Sequence, residues 1–166
     1  MTQVLILLGS KSDLPITEKG LQAFKDLGVS FSLRIASAHR TPDLVHKLVT
    51  DHEANGGKAV ICVAGMSAHL AGVVAALTTL PVVAVPLANA ATAGFDALLS
   101  MGQMPAGIPV ATMTLGKAGF TNAALFATQM IATADADLMA KFKQDRQSRA
   151  ALVMEADEMN RVDFEA

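Results

Sequence analysis

Residues 4–13 read VLILLGSKSD. The unbroken apolar run Val4–Leu8 suits a strand buried on both faces, as in the middle of a parallel sheet. Gly9 ends the run, and Pro15 is well placed for a first helical turn. Ile16, Gly20, Ala23, Phe24 and Leu27 then share one face at a 3.6-residue period, with Gly28 as the stop. Strand, loop and helix in that order open a β-α-β unit.

The same alternation continues downstream. Val29, Phe31, Leu33 and Ile35 alternate with Ser30, Ser32 and Arg34, which predicts a half-exposed edge strand. A second helix is expected over about Pro42–Asn55, buried along Leu44/Leu48 and Val45/Val49 and ended by Gly56-Gly57. Ala59–Val63 (AVICV) reads as a third strand, Met66 to about Thr78 as a small-residue helix, and Val82–Val85 as a fourth strand. A helix over Ala93–Met101, a fifth strand over Val110–Leu115, and helices over Thr121–Ala132 and Asp135–Asn160 complete the chain. Such alternation requires parallel strands and a three-layer α/β/α sandwich. A half-exposed second strand beside fully apolar first, third and fourth strands favours the flavodoxin-like order 2-1-3-4-5. The whole chain, residues 1–166, is expected to be a single domain with a charged helical arm over about 135–160.

Composition narrows the function. Of 166 residues, 52% are hydrophobic and 17% charged, which excludes a disordered chain. A net charge of −2 provides no broad basic field for nucleic acid or an anionic membrane. Trp and Tyr are absent, so stacking platforms for single strands are not expected. Cys62 is the sole cysteine, which rules out an intramolecular disulfide or a cysteine zinc cluster and suits a reducing cytoplasm. The start, MTQVLILLGS, lacks the basic n-region of a secretory signal. Between Lys58 and Lys117 the only formal charge is Asp96, yet Ser67, His69, Pro81, Pro86 and Asn89 break the stretch into pieces too short to span a membrane. So apolar a centre predicts burial of helix faces between subunits.

In parallel sheets ligands bind at the carboxyl ends of the strands. Four loops are expected there: Gly9–Asp13, Ser37–Arg40, Ala64–His69 and Gly116–Gly119. The first has the make-up of a phosphate cradle, with a glycine for close approach, two hydroxyls and a following helix N-terminus. It is neither a Walker A loop nor a G-x-G-x-x-G fingerprint. Ser12 or Asp13 could instead cap the helix; beside a phosphate, Asp13 suits ribose hydroxyls better than the anion. Arg40 offers a planar fork for two phosphate oxygens, against the alternative of a surface arginine. His39 is the strongest candidate for proton transfer, against the alternative of a helix cap. His69 reads equally as a core histidine or a ligand contact, and Lys117 as a pocket closer or a surface lysine. His46 and His52, poorly spaced for a metal on a helix, read as surface residues. Asp96 reads as a first-turn helix residue or an interface acceptor. These residues point to an enzyme for a small phosphorylated, ribose-containing substrate, working by histidine proton transfer without metal or redox cofactor.

GSKSD at 9–13, SAHRTP at 37–42, AHLAG at 68–72 and QMPAGIPVATMTLGKAGFTNAAL at 103–125 resemble the PurE family, the N5-carboxyaminoimidazole ribonucleotide mutases of purine biosynthesis. The resemblance runs from about residue 3 to residue 135. It implies transfer of a carboxylate from the exocyclic nitrogen of an aminoimidazole ribonucleotide to ring carbon C4, with no cofactor. By that resemblance Ser10, Ser12 and Arg40 would hold the 5′-phosphate and Asp13 the ribose. Ser37, Ala38 and the segment Ala64, Gly65, Met66, Ser67, Ala68, Leu70 would surround the imidazole and its carboxylate, with His39 as general acid/base. The family is homo-octameric and works downstream of the ATP-dependent carboxylase that makes its substrate. Many members read AGGAAHLPG where this chain has AGMSAHLAG, so Met66 and Ala71 depart from that pattern. An animal-type carboxylase taking free CO2 is the alternative within the family. A non-catalytic flavodoxin-like module holding FMN is the alternative outside it.

Overall fold

A computed structural model describes residues 2–164; Met1, Glu165 and Ala166 lie outside the described residues. Five strands, β1 (Val4–Leu8), β2 (Phe31–Ile35), β3 (Ala59–Gly65), β4 (Val82–Leu87) and β5 (Ala111–Thr112), form one parallel sheet in the order β2-β1-β3-β4-β5. The 2-1-3-4-5 order read from the hydrophobic patterns is therefore the observed one. Its cause is visible in burial: β1 is fully buried, whereas β2 at the edge has no buried residue.

Alternate residues of the central strands serve the two faces. Val4, Ile6, Leu8, Ile61, Val63, Val83 and Val85 pack with Phe24 and Leu27 of α1 (Glu18–Leu27) and Phe120 and Ala124 of α5 (Gly116–Ala132). Leu5, Leu7, Val60, Cys62 and Ala84 pack on the opposite face. There they meet Val45 and Val49 of α2 (Pro42–Ala54), Val74 of α3 (Leu70–Ala75) and Met101 of α4 (Phe95–Gly102). Each fully buried aliphatic side chain contributes about 1.5–3 kcal/mol of transfer free energy, so the period-two alternation fixes which residues face which layer. The last helix, α6 (Ala136–Asn160), joins this core through buried Leu138 and Phe142 and half-buried Met139.

Several boundaries differ from the sequence reading, each for a local reason. Pro15 lies within a short 3-10 turn, Lys11–Ile16, and α1 begins only at Glu18. The helix expected from Met66 starts at Leu70, because Met66 is left-handed (φ 58°) and cannot continue a right-handed turn. Left-handed Ala93 and Gly94 likewise delay α4 to Phe95. β5 is shorter than expected, pairing only Ala111 and Thr112 with β4 before the chain leaves the sheet for α5. That helix starts at Gly116, before the expected Thr121, because Gly116 and Gly119 disguise its first turn. Gly119 is demanded by packing, since a Cβ there would overlap the Thr114 carbonyl.

His52 is not a surface residue: it is 8% exposed, and its Nε2 lies 3.2 Å from the Ala59 carbonyl oxygen. The α2 terminus folds its imidazole against Gly57, where any side chain would clash with the ring. Burial lowers its pKa, opposed by hydrogen bonds to the Ala59 and Gln3 backbone. Large apolar side chains remain in solvent, among them Phe95, Leu99, Leu152 and Met154. No helix among the described residues is long and apolar enough to cross a membrane.

Candidate active site

Because all five strands run parallel, their carboxyl ends share one edge. The order reverses between β1 and β3, and loops diverging there open a cleft of about 580 Å³. Its walls come from the loops after β1, β2, β3 and β4. The β4 loop supplies Leu87, Ala88 and Asn89 in place of the expected Gly116–Gly119, whose strand lies at the far edge of the sheet. Lys117 is exposed in the first turn of α5 and does not line the cleft.

The β1 loop is held by its own side chains. Ser10 caps the short 3-10 turn, accepting from the Ser12 backbone N–H at 3.3 Å, while Asp13 Oδ2 accepts from the Ser10 N–H at 3.0 Å. The cap is thus a reciprocal box between Ser10 and Asp13, rather than Ser12 or Asp13 alone. The Ser12 hydroxyl lies 2.9 Å from Ser10 Oγ and 3.0 Å from Asp13 Oδ1. Capping and ligand contact are compatible here, because Ser10, Ser12 and Asp13 all face the cleft.

Arg40 ties this loop to the one after β2. Its Nη2 donates to the Gly9 carbonyl at 2.8 Å, and its Nε reaches Ser37 Oγ at 3.4 Å. No carboxylate neutralises Arg40 among the described ion pairs. A tethered, uncompensated guanidinium in a cleft that Ser10 and Ser12 also line is an anion-binding arrangement.

His39 does not cap α2. Ser37 and Thr41 do the local bonding, with the Ser37 N–H donating to Thr41 Oγ1 at 2.9 Å. The imidazole is left to face His69, its Nε2 2.9 Å from His69 Nδ1, with the rings edge to face at 85°. His69 is exposed in the cleft, so the core-histidine reading does not hold.

The remaining wall is apolar. Ala38, Ala64, Gly65, Met66, Ser67 and Leu70 line it with Leu87, whereas Ala68 is 1% exposed and packs behind it. Asn89 at the rim is fixed by Asp96, whose Oδ2 accepts from Asn89 Nδ2 at 2.9 Å. A hydrogen bond from Thr92, then those from the Ala97 backbone and Asn89, hold the Asp96 carboxyl below its usual range against desolvation. Of the cleft residues, Leu87, Ala88 and Asn89 carry no contact assignment from the sequence, while His69 takes the ligand-contact side of its two readings. The pattern strand–Pro86–Leu87–Ala88–Asn89 at a strand's carboxyl end was the available signal. Cys62 lies within the sheet, where burial pushes its thiol pKa up and makes it a poor nucleophile. No cluster of three or more metal-ligating side chains occurs among the described residues.

Known proteins resemble this chain over most of its length. The family described as AIR carboxylase matches residues 3–151. The N5-carboxyaminoimidazole ribonucleotide mutase of Methanocaldococcus jannaschii is 45% identical over 155 residues, covering 93% of this chain and 95% of that protein. The mutase of the same description from Escherichia coli is 42% identical, covering 92% and 90% of the two chains. The crystal structure of Treponema denticola PurE superposes with a TM-score of 0.86 at 31% identity, covering 96% of this chain and 98% of that one. The AIR carboxylase match, the mutase relatives and the shared fold lead to one conclusion: this chain belongs to the AIR carboxylase family.

Proposed function

We propose that this protein is an N5-carboxyaminoimidazole ribonucleotide mutase, an isomerase of purine biosynthesis acting downstream of an ATP-dependent carboxylase. The observation that carries the reading is a cleft with a hydroxyl-lined, guanidinium-tied end, an apolar wall, and an imidazole pair between walls from different loops. Relatives matched over nine-tenths of both chains bear that description.

In this reading Ser10, Ser12 and Arg40 hold the 5′-phosphate, and Asp13 accepts from the ribose hydroxyls. Ser37, Ala38, Ala64, Gly65, Met66, Ser67 and Leu70 surround the heterocycle, with Ala68 packed behind them. The chemistry is a proton-neutral exchange. The carbamate C–N bond breaks, its electron pair stays on nitrogen, and protonated His39 supplies the proton that makes the free amine and CO2. The ring then attacks CO2 through C4, and the C4 proton returns to His39 as aromaticity is restored. Desolvation favours loss of the carbamate carboxylate, and retention of CO2 makes recapture effectively intramolecular. His69 orients His39 through the 2.9 Å contact between Nε2 and Nδ1. The cycle calls for no metal or redox cofactor.

The same reading places the protein in the cytoplasm as a single-domain subunit of a homo-octamer. Exposed Phe95, Leu99 and the apolar residues of α6 support burial between subunits. The second reading, direct carboxylation of the aminoimidazole by CO2, is favoured by the family's description. One experiment separates the two. Purified protein is given the N-carboxylated ribonucleotide without bicarbonate, or the aminoimidazole ribonucleotide with it. Prompt formation of the C4 carboxylate only in the first case supports the mutase; the reverse supports the carboxylase.

A further inference from the structure

Met66 combines a left-handed backbone with an exposed apolar side chain. It is left-handed at φ 58°, a conformation glycine adopts freely and a residue with a Cβ does not. Its long apolar side chain is also 69% exposed. A position needing only the turn would be served by glycine, and one facing only water by a polar residue. The residue before it, Gly65, lies against β4, where an added methyl would stand 3.3 Å from Leu87 Cβ. Met66 lines the cleft with Ala38, Ala64, Leu70 and Leu87.

An unbranched thioether has three rotatable bonds and adapts to irregular apolar surfaces. Here it can fold onto whatever occupies the cleft. Resting on the mutase reading, the occupant midway through the reaction is an aminoimidazole ribonucleotide beside CO2. Carbon dioxide carries no charge and accepts hydrogen bonds poorly, so exclusion of water and dispersion contacts must hold it. We propose that Met66 is the retention residue of this enzyme, a flexible apolar cover that closes over the occupied cleft and keeps released CO2 against C4. It takes no part in proton transfer: the C–N bond opens and the C–C bond closes beneath it, with His39 lending and recovering the proton.

The test is isotope exchange. Wild type, M66A, M66G and M66L each receive the unlabelled N-carboxylated ribonucleotide in buffer holding 13C-labelled bicarbonate and carbonic anhydrase. Label in the C4 carboxylate is measured per turnover, with a no-enzyme blank subtracted. Wild type and M66L should incorporate little, whereas M66A and M66G should incorporate several-fold more. M66G relieves the left-handed strain and should melt no lower than wild type, so exchange in that variant reports on the missing side chain and not on misfolding. Equal incorporation in wild type and M66G would overturn the role given to Met66 while leaving the mutase reading intact. Failure of wild type to form any C4 carboxylate would remove both.

Discussion

The imidazoles of His39 and His69, thirty residues apart in the chain, meet at 2.9 Å between Nε2 and Nδ1. One ring must donate and the other accept, so the contact fixes the tautomer of each relative to the other. His69 thereby sets the orientation and proton placement of the imidazole assigned to acid–base work.

Loss of His39 should abolish proton transfer while leaving ribonucleotide binding in place. The H39N variant is expected to lose about 10²–10⁴ in kcat, with KM changed only a few-fold. Removing the orienting partner in H69N should cost less, on the order of ten-fold. Steady-state kinetics on both variants, with ribonucleotide binding by calorimetry, check this. An H69N loss equal to that of H39N would make His69 an equal participant and not an orienting one.

Arg40 acts on affinity. Its guanidinium is tethered to the Gly9 carbonyl at 2.8 Å and carries no paired carboxylate among the described ion pairs. The R40A variant should bind ribonucleotide more weakly by about 2–4 kcal/mol, roughly 30- to 1000-fold in Kd. The corresponding nucleoside, lacking phosphate, should bind wild type and R40A alike. Discrimination against R40A by the nucleoside too would locate the arginine's role in loop structure instead of phosphate contact.

Packing at Gly119 has no slack, because an added methyl would overlap the Thr114 carbonyl and approach Val85 Cγ1 at 3.2 Å. The G119A variant should lose about 2–4 kcal/mol of stability, read as a lower urea midpoint with unchanged slope. Gly102, where an added methyl would meet nothing within 4 Å, is the matched control. G102A should change stability by less than about 1 kcal/mol, in the stabilising direction.

His52 makes stability depend on pH. Its folded pKa is lowered from 6.5, chiefly by burial, so the unfolded chain binds the proton more readily. Stability is therefore full above pH 6.5 and falls as pH drops from there toward the folded pKa. H52Q should flatten this part of the curve, at the cost of a lower melting temperature at neutral pH. Melting temperature followed from pH 8 down to the onset of acid unfolding tests the sign; an unchanged slope in H52Q would assign the dependence to other groups.

Local pattern alone determined the architecture. VLILL, AVICV and the alternation through Phe31–Ile35 established central and edge strands, because burial on one or two faces leaves a periodicity that neighbours in sequence already display. The loops at the carboxyl ends of β1, β2 and β3 followed from that order, and with them the candidate residues Ser10, Asp13, His39 and Arg40. Only the tertiary structure decided what crosses between segments. The His39–His69 contact, the Gln3 backbone against the His52 imidazole and replacement of the Gly116 loop by Leu87–Asn89 all join segments distant in the chain. The left-handed backbone at Met66 likewise leaves no mark in the hydrophobic pattern. Periodicity reports whether a residue is buried; it carries no record of which distant residue lies against it.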